Sequence, residues 1–300
     1  MLHIAKLGYA AFTTADVEAT WAHYTEVIGF SLVEREDDGT AYLRNAVDHH
    51  TIVLYPAAES NLHHLGFQLG DTQTLDVVTD QLKAHGIAME VRSDTQPGVP
   101  ELIQLSDPEG NAIQLYTTME QTSHGLLDRG IAPEKLGHVA IHVRNIKKMV
   151  RFYQEVLGFR VSDWVEDSCA FLRCGPDHHT ILLIQARSRS PRTHILHHAA
   201  FQLHDWAHMQ RACDHLAKKN VSLFWGPGRH GPGHSLFTYH LDPGGNMVEL
   251  FTDLDLMLNE DLGYFEPRSW HSDYPQRPKV WKNSPQTANL WGLLPAGSRR

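Results

Sequence analysis

Three residues in the second half of the chain are of the types that bind a divalent metal ion. They are His138, one of the adjacent His197 and His198, and Glu249, and each falls on a different predicted strand. Side chains alternate between the two faces of a strand, so we expect one histidine of the pair to point into a cavity. Two neutral imidazoles and one carboxylate form the facial set that holds non-haem Fe(II) and leaves coordination sites open. The sequence therefore predicts a metal centre at which a substrate and O2 can bind together.

The two halves of the chain are similar in sequence, so corresponding positions can be compared with each other. "LHHLGFQL" at 62 returns as "LHHAAFQL" at 196, and "VDHHTIVL" at 47 returns as "PDHHTILL" at 176. "KLGYAAF" at 6 pairs with "KLGHVAI" at 135, and the "DPEGN" turn of the first half pairs with "DPGGN" in the second. Such self-similarity indicates two homologous modules.

The ligand types differ between these modules although the scaffold residues persist. Tyr9 occupies the position that corresponds to His138, and Gln114 occupies the position of Glu249. Only the histidine of the repeated pair is kept, as His64. A phenol and a neutral amide cannot replace an imidazole and an anionic carboxylate in a facial set. We therefore expect the first module to keep the fold without the metal.

Each half predicts the same series of elements, which must position these residues. A short strand is followed by an amphipathic helix, three strands, a second helix, a Gly/Pro-rich loop and a closing pair of strands around the Asp-Pro turn. In the second half the first helix ends at Gly158, a plausible C-terminal cap. The fold class is therefore α+β. The predicted modules are residues 1–118 and 134–253, joined by a linker at 119–133.

Residues 254–300 have a different composition, rich in Pro, Trp and Arg, and show neither helical nor strand periodicity. Prolines at 267, 275, 278 and 285 would interrupt either element. We expect an extended arm whose Trp270, Trp281 and Trp291 pack on a surface, either of this chain or of another subunit, or whose last residues fray. This arm is the hint of a homo-oligomer.

Composition limits the other functions. The chain is 42% hydrophobic and 20% charged, which is typical of a folded soluble protein. A formal charge of -9 without a basic run argues against nucleic acid as a partner. No stretch reaches the roughly 18 consecutive apolar residues of a membrane span. The three cysteines lack CxxC spacing, and with no secretory leader in view they favour a reducing, cytoplasmic location.

The segment "GRHGPGHSLFTYHLDPGGNMVE", residues 228–249, resembles the type I extradiol ring-cleaving dioxygenases of the vicinal oxygen chelate superfamily. The family pattern is G-x-H, a spacer, an apolar residue, Tyr, two residues, Asp-Pro-x-Gly and then Glu. Thr238, in place of the apolar residue, is the one departure. The resemblance covers about residues 4–252. It implies paired βαβββ units that form a curved mixed sheet around a cavity.

The resemblance also implies an activity, extradiol cleavage of a catechol by O2 to a ring-opened semialdehyde, with Fe(II) or Mn(II) as the metal. Six site residues follow from it by position: the metal ligands His138, His198 and Glu249, and the catalytic His178, His230 and Tyr239. His178 is expected to act as an acid and base on the O2 side, although an offset of one residue would move that role to His179. His230 and Tyr239 are expected to face the substrate hydroxyl.

Two other functions stay open for a chain of this kind. Glyoxalases and thiol transferases use Zn, Ni or Mn with two histidines and two glutamates, often shared between modules, but Gln114 is not a carboxylate. A metal-free binding protein would not need the intact ligand set. The substituent on the catechol is also open: arginines at 187, 189, 192 and 229 would suit a carboxylate, whereas Phe224 and Trp225 would suit an aromatic group.

Overall fold

A computed structural model describes residues 2–122, 129–186, 195–262, 265–266 and 279–292. The loop arginines at 187, 189 and 192, and Trp270 of the predicted arm, lie outside these residues. Within them, no helix is long and apolar enough to cross a membrane.

The first module is built on an eight-stranded sheet of spatial order β2-β3-β4-β1-β5-β8-β7-β6 in the described part of the chain. Its strands are β1 Ile4–Thr14, β2 Ser31–Arg35, β3 Ala41–Arg44, β4 Ile52–Pro56, β5 Asn61–Leu69, β6 Met89–Gln96, β7 Val99–Ser106 and β8 Ala112–Tyr116. Its helices are α1 Val17–His23, which continues into a π turn over Tyr24–Ile28, and α2 Leu75–Ala84.

The second module repeats this arrangement with one more strand, in the order β14-β15-β16-β13-β9-β12-β11-β10-β17. Its strands are β9 Lys135–Val143, β10 Arg160–Val165, β11 Cys169–Arg173, β12 Ile181–Gln185, β13 Leu196–Gln202, β14 Leu223–Arg229, β15 Leu236–Leu241, β16 Met247–Thr252 and β17 Lys279–Trp281. Its helices are α3 Ile146–Glu155, α4 Trp206–Lys218 and the short α5 Pro285–Ala288.

The sheets are mixed because each module joins two βαβββ units at its centre. In the second module β9 runs parallel to β12 and antiparallel to β13, which in turn runs parallel to β16. The crossover helix α3 starts at Asn145, whose side chain accepts a hydrogen bond from the Lys148 N–H, and it buries Met149 and Tyr153. Gly158, at φ +75°, turns the chain into β10.

Two segments differ from the sequence-based expectation. The predicted Gly/Pro-rich loop is partly the edge strand β14, where Pro227 is tolerated because an edge strand leaves some N–H groups unpaired. The C-terminal arm contains β17 and α5, and Pro285 begins that helix instead of breaking it. Proline fits the first helical position because the N–H it lacks would have no helical partner there.

Candidate metal centre and active site

Three adjacent central strands bring the predicted ligands together. Ala200 on β13 is paired with His138 on β9 at one side and with Glu249 on β16 at the other. His198 lies two residues earlier on β13, on the same face of the sheet. The side chains of all three are at most 3% exposed. The fold therefore gathers two imidazoles and one carboxylate inside the second module.

The ligand atoms form a tight triangle. The Nε2 atoms of His138 and His198 lie 3.2 Å apart, and each lies 3.1 Å from Glu249 Oε2. Ligand atoms on neighbouring corners of an octahedron with bonds of about 2.1 Å would be about 3.0 Å apart. Glu249 Oε1 and His138 Nδ1 are buried without a hydrogen-bond partner. The spacing and the unsatisfied carboxylate oxygen both fit a divalent ion.

The protonation of the cluster suits metal binding as well. Burial lowers the pKa of His198, so its ring is neutral near pH 7. Burial alone would raise the pKa of the Glu249 carboxyl, but the charge of His138 and hydrogen bonds from His138 and His198 hold it well below its usual range. The site therefore offers an anionic carboxylate and a neutral imidazole, the forms that coordinate a metal.

The corresponding place in the first module is closed by neutral groups. The hydroxyl of Tyr9 donates a hydrogen bond to Gln114 Oε1, and burial raises the pKa of Tyr9 well above its usual value. Burial lowers the pKa of His64 to about 3. The rings of Tyr42 and Tyr116 complete a packed apolar cluster around Tyr9. The first module therefore has a protonated phenol and an amide at the positions where the second module has an imidazole and a carboxylate.

A cavity of about 770 Å³ opens beside the triad in the second module. It is lined by Val165, Phe171, Leu182, Ile184, Trp225, Pro232 and other apolar groups, together with His179, His197, His230, Tyr239, Gln185 and the triad itself. Glu166 and Asp167 also contribute to its wall. The volume exceeds what a single ring needs.

His230 and Tyr239 lie next to each other on this wall. His230 Nε2 is 3.1 Å from the Tyr239 hydroxyl and 3.6 Å from Glu249 Oε1. The ring of Tyr239 stacks on Trp225, with 5.4 Å between centroids. Burial and the nearby Glu249 raise the pKa of Tyr239, so it stays protonated. The pair places a hydrogen-bond donor and an imidazole on the Glu249 side of the triad.

The structure places His179, and not His178, on the cavity wall. The ring of His179 lies 4.1 Å from that of His138. His178 points away: its Nε2 lies 3.3 Å from Asp163, and its ring contacts Phe265. "DHHT" precedes β12 instead of lying within it, so the alternation of a strand does not apply there. Of the two adjacent histidines, His179 is therefore the one whose ring can meet a molecule in the cavity.

His197 also reaches the cavity, although alternation along a strand had assigned it to the other face. The pairing of β13 with β9 shifts register between Leu196 and His198, and this bulge turns both histidines toward one side. His197 Nδ1 lies 2.7 Å from His198 Nδ1. A metal-ligating histidine commonly has such a partner on its second nitrogen, which fixes the orientation of the ring.

Sequence reasoning missed the part of the wall that comes from the C-terminal arm. Asn283, Ser284, Thr287 and Ala288 line the cavity. The sequence "NSPQTA" carries a helix-start pattern, a serine cap followed by proline, that could have revealed α5. Of the residues proposed to recognise a substituent, Trp225 lines the cavity and Phe224 is 46% exposed. Arg229 binds the His234 carbonyl oxygen and Asp253 instead.

Comparison with known proteins agrees with this architecture. The model of the Glyoxalase/Bleomycin resistance protein/Dioxygenase superfamily matches residues 6–115 and again 135–250, which confirms the tandem repeat. The chain is 27% identical over 301 residues to a manganese-dependent 2,3-dihydroxybiphenyl 1,2-dioxygenase of Geobacillus genomosp. 3, with 93% of each protein covered.

Two further proteins are similar over most of their length. An iron-dependent extradiol dioxygenase of Rhodococcus jostii is 26% identical over 278 residues, covering 83% of this chain and 89% of the relative. The crystal structure of a Mn(II)-bound glyoxalase from Novosphingobium aromaticivorans superposes with a TM-score of 0.83 at 26% identity, covering 98% of this chain and 92% of the other.

Proposed function

The chain belongs to the glyoxalase/bleomycin resistance protein/dioxygenase superfamily, and from that premise we propose that it is a metal-dependent extradiol dioxygenase. It opens the aromatic ring of a catechol beside its two hydroxyl groups, with O2 as the second substrate. Relatives named for this reaction match 83% to 93% of the chain, and both a manganese-dependent and an iron-dependent enzyme are among them.

One observation carries the proposal: among the described residues a facial triad adjoins an open cavity in the second module, whereas Tyr9 and Gln114 close the same place in the first. His138, His198 and Glu249 would hold the ion. Bound Fe(II) or Mn(II) would supply a site where the diol and O2 lie side by side and exchange electrons. The residues around it bind, orient and handle protons.

His230 and Tyr239 would act on the catechol hydroxyls. Tyr239 stays protonated and can donate a hydrogen bond to a substrate oxygen. His230 Nε2, 3.1 Å from that hydroxyl, is placed to accept a proton as the substrate ionises. Their position beside Glu249 puts proton removal next to the oxygen atoms that the metal would bind.

His179 would handle protons on another side of the triad, next to His138. Burial, together with the charges of His138 and His178, lowers the pKa of His179, which keeps its ring neutral. A neutral imidazole can accept a proton and return it at a later step. We therefore assign to His179 the acid and base role on the O2 side.

The cavity wall favours a catechol with an uncharged, apolar substituent. The space of about 770 Å³ beyond the triad is lined by Trp225, Phe171 and aliphatic side chains. Glu166 and Asp167 would repel a carboxylate, and Arg229 is paired elsewhere. A second aromatic ring or an alkyl chain on the catechol would bury this apolar surface.

A glyoxalase-type reaction fits the described residues less well. That site needs two carboxylates among its ligands, and the ligand group found in the described part of the chain contains one, Glu249. A metal-free binding protein is also disfavoured, because Glu249 Oε1 would then stay buried without a partner, at a cost of roughly 1–3 kcal/mol.

The test is oxygen-dependent ring opening. Protein purified without oxygen and loaded with Fe(II) or Mn(II) should turn an uncharged substituted catechol yellow when air is admitted, with one O2 consumed per catechol. Glu249→Gln places in the second module the amide that Gln114 provides at the same position of the first. Because an amide lacks the negative charge of the carboxylate, metal affinity should fall more than about 100-fold and turnover should disappear. Gln114→Glu, the matched control, should leave one metal per chain and full activity. Metal retention with undiminished turnover in Glu249→Gln would refute the proposal.

A further inference from the structure

The C-terminal segment 279–292 spans the second module from one edge strand to the other. At its first end, β17 pairs with β10 in parallel. The Lys279 N–H donates to Asp163 Oδ1 at 2.8 Å, and Trp281 Nε1 donates to Asp163 Oδ2 at 2.8 Å. The segment is therefore fixed to the sheet before it reaches the cavity.

At its other end the same segment is fixed to β14, the opposite edge of the sheet, and to the loop after it. The Gly231 N–H donates to the Thr287 carbonyl oxygen at 2.9 Å, and the Leu290 N–H donates to the Arg229 carbonyl oxygen at 2.7 Å. Asn289, fully buried, accepts from the Arg229 N–H through Oδ1 at 3.1 Å. Between these two ends α5 forms part of the cavity wall.

One atom of this segment contacts the residue that we place on the substrate hydroxyl. His230 Nδ1 lies 2.7 Å from the main-chain carbonyl oxygen of Ala288. A carbonyl oxygen can only accept, so the hydrogen atom must be on Nδ1. If Nδ1 carried a lone pair instead, two lone pairs would face each other at hydrogen-bond distance.

We propose that the C-terminal segment, through the Ala288 carbonyl, is a positioning element that fixes the tautomer of His230. The neutral ring then carries its hydrogen on Nδ1 and presents the lone pair of Nε2 to the cavity. The Tyr239 hydroxyl, 3.1 Å away, donates to that lone pair until a substrate replaces it. The ring of His230 stacks on Phe237 at 3.8 Å between centroids, which holds its plane while Ala288 selects its protonated edge.

The consequence for the reaction rests on the function proposed above. An imidazole with its lone pair on Nε2 can take the proton of a catechol hydroxyl, whereas the other tautomer presents a hydrogen there and cannot. When the proton moves to Nε2, the ring becomes a cation that the Ala288 carbonyl and the Glu249 carboxylate both face. The segment thus contributes to proton transfer although its own side chains do not accept the proton.

Two variants displace the carbonyl without changing His230. In Gly231→Ala the new methyl carbon would stand 2.8 Å from the Thr287 carbonyl oxygen and 3.3 Å from Thr287 Cα, so the α5 turn must move. Asn289→Ala removes the acceptor of the Arg229 N–H and acts on the same turn from its other side. Gly175→Ala is the matched control, because its methyl carbon would meet only the Ala5 carbonyl oxygen, at 3.6 Å.

The direct measurement is a long-range ¹H–¹⁵N correlation spectrum of metal-free protein labelled on histidine, in which the two tautomers give different nitrogen shifts. The His230 signal is assigned by its loss in His230→Gln. We expect the hydrogen on Nδ1 in the native protein and in Gly175→Ala, and a mixture of tautomers in the two arm variants. A native signal with the hydrogen on Nε2, or an Nδ1–H signal that persists in both arm variants, would overturn the proposal.

The second measurement is steady-state turnover of the metal-loaded protein. Gly231→Ala and Asn289→Ala should lower kcat by roughly 10- to 100-fold, the scale of a misplaced general base, with KM changed less than about threefold. A rise in KM with unchanged kcat would contradict the role. If the tautomer shifts as expected but no form opens a catechol, the function proposed above fails while the contact with Ala288 stands.

Discussion

The two histidines of each repeated "HH" pair have different environments and contacts. In "HH" at 197 and at 63, the Nδ1 atoms of the two rings lie 2.7 Å apart. The inner ring of each pair, His198 or His64, is buried in the sheet, and the outer ring contacts its second nitrogen. The arrangement is also present in the module without the triad, so it belongs to the scaffold that the candidate ligand His198 shares.

Comparison of the two modules also indicates why His178 contacts Asp163 and does not line the cavity. Its neighbour Asp163 corresponds to Glu34 of the first module, where His49 Nε2 lies 3.7 Å from the Glu34 carboxylate. A histidine and acid contact kept in both modules indicates a structural role. Asp163 also receives two hydrogen bonds from the C-terminal segment, so His178 lies next to the residue that anchors this segment.

We therefore expect substitution of His179 to lower mainly kcat and substitution of His178 to lower mainly the free energy of unfolding. His179→Gln should lower kcat by about 100-fold, as removal of a general acid and base does, while the free energy of unfolding changes little. His178→Gln should keep kcat within about threefold but lower the free energy of unfolding by about 1–3 kcal/mol, because it removes a buried ring that contacts Phe171 and Phe265. Turnover and guanidinium unfolding of both variants check this. Equal losses of kcat would place His178 in the catalytic site after all.

At the scale of elements, repetition and periodicity predicted most of the fold. The helix at Ile146–Glu155, the helix at Trp206–Lys218 and the strand at Leu196–Gln202 all fall on segments whose periodicity indicated them. Strand alternation failed at the bulge beside His197, where the pairing is irregular. Neither a register shift nor the path of residues 279–292 across the cavity is local information, so a single sequence could not supply them.

Helix α1 of the first module meets strand β15 of the second through two buried histidines. His23 Nε2 and His240 Nε2 lie 3.2 Å apart. Burial lowers the pKa of His23 to about 4 and that of His240 to about 3. Both rings are therefore neutral in the folded protein at pH values where they are charged in the unfolded chain.

The difference between the folded and unfolded pKa values sets the direction in which the free energy of unfolding changes with pH. Between the unfolded pKa near 6.5 and the folded values, the unfolded chain binds more protons, so stability present above pH 6.5 is lost as the pH falls toward 4. Asp242, whose pKa burial raises to about 6, acts in the opposite direction but is common to all variants compared.

His240→Gln should reduce the slope of unfolding free energy against pH, between pH 6 and 4, by up to roughly 1.4 kcal/mol per pH unit. The glutamine amide can still bond to His23 but does not titrate in this range. Guanidinium unfolding of metal-free protein measures the slope, and His85→Gln, at the exposed end of α2, is the control. An unchanged slope in His240→Gln would show that the pair is already charged in the folded state.

At the scale of the whole molecule, the Asp-Pro turn of each module contacts the other module. In the first module the turn after β7 places Glu109 against the start of α3, where its carboxylate accepts from the N–H groups of Arg144 and Asn145 at 2.8 to 3.0 Å. In the second, Gly244 occupies the equivalent place, so close to the first module that an added Cβ would lie 2.6 Å from Thr14 Oγ1 and 2.9 Å from Ser60 Oγ. The repeat that sequence comparison revealed is thus also a reciprocal interface.

The two turns are not interchangeable, and this asymmetry can be tested. A carboxylate at a helix N-terminus receives charge-assisted hydrogen bonds and interacts favourably with the helix dipole, so Glu109→Ala should lower the free energy of unfolding by about 1–2 kcal/mol. Glu109→Gln, which keeps an acceptor oxygen without the charge, should lose about half as much, and Glu101→Ala, exposed on β7, should lose little. Guanidinium unfolding followed by tryptophan fluorescence measures these differences, and turnover should stay within about twofold because Glu109 is not among the residues that line the cavity. If Glu109→Ala and Glu101→Ala were equally stable, the carboxylate would not contribute to the contact between modules. The packing of apolar residues from both modules into one core would then have to hold the modules together without it.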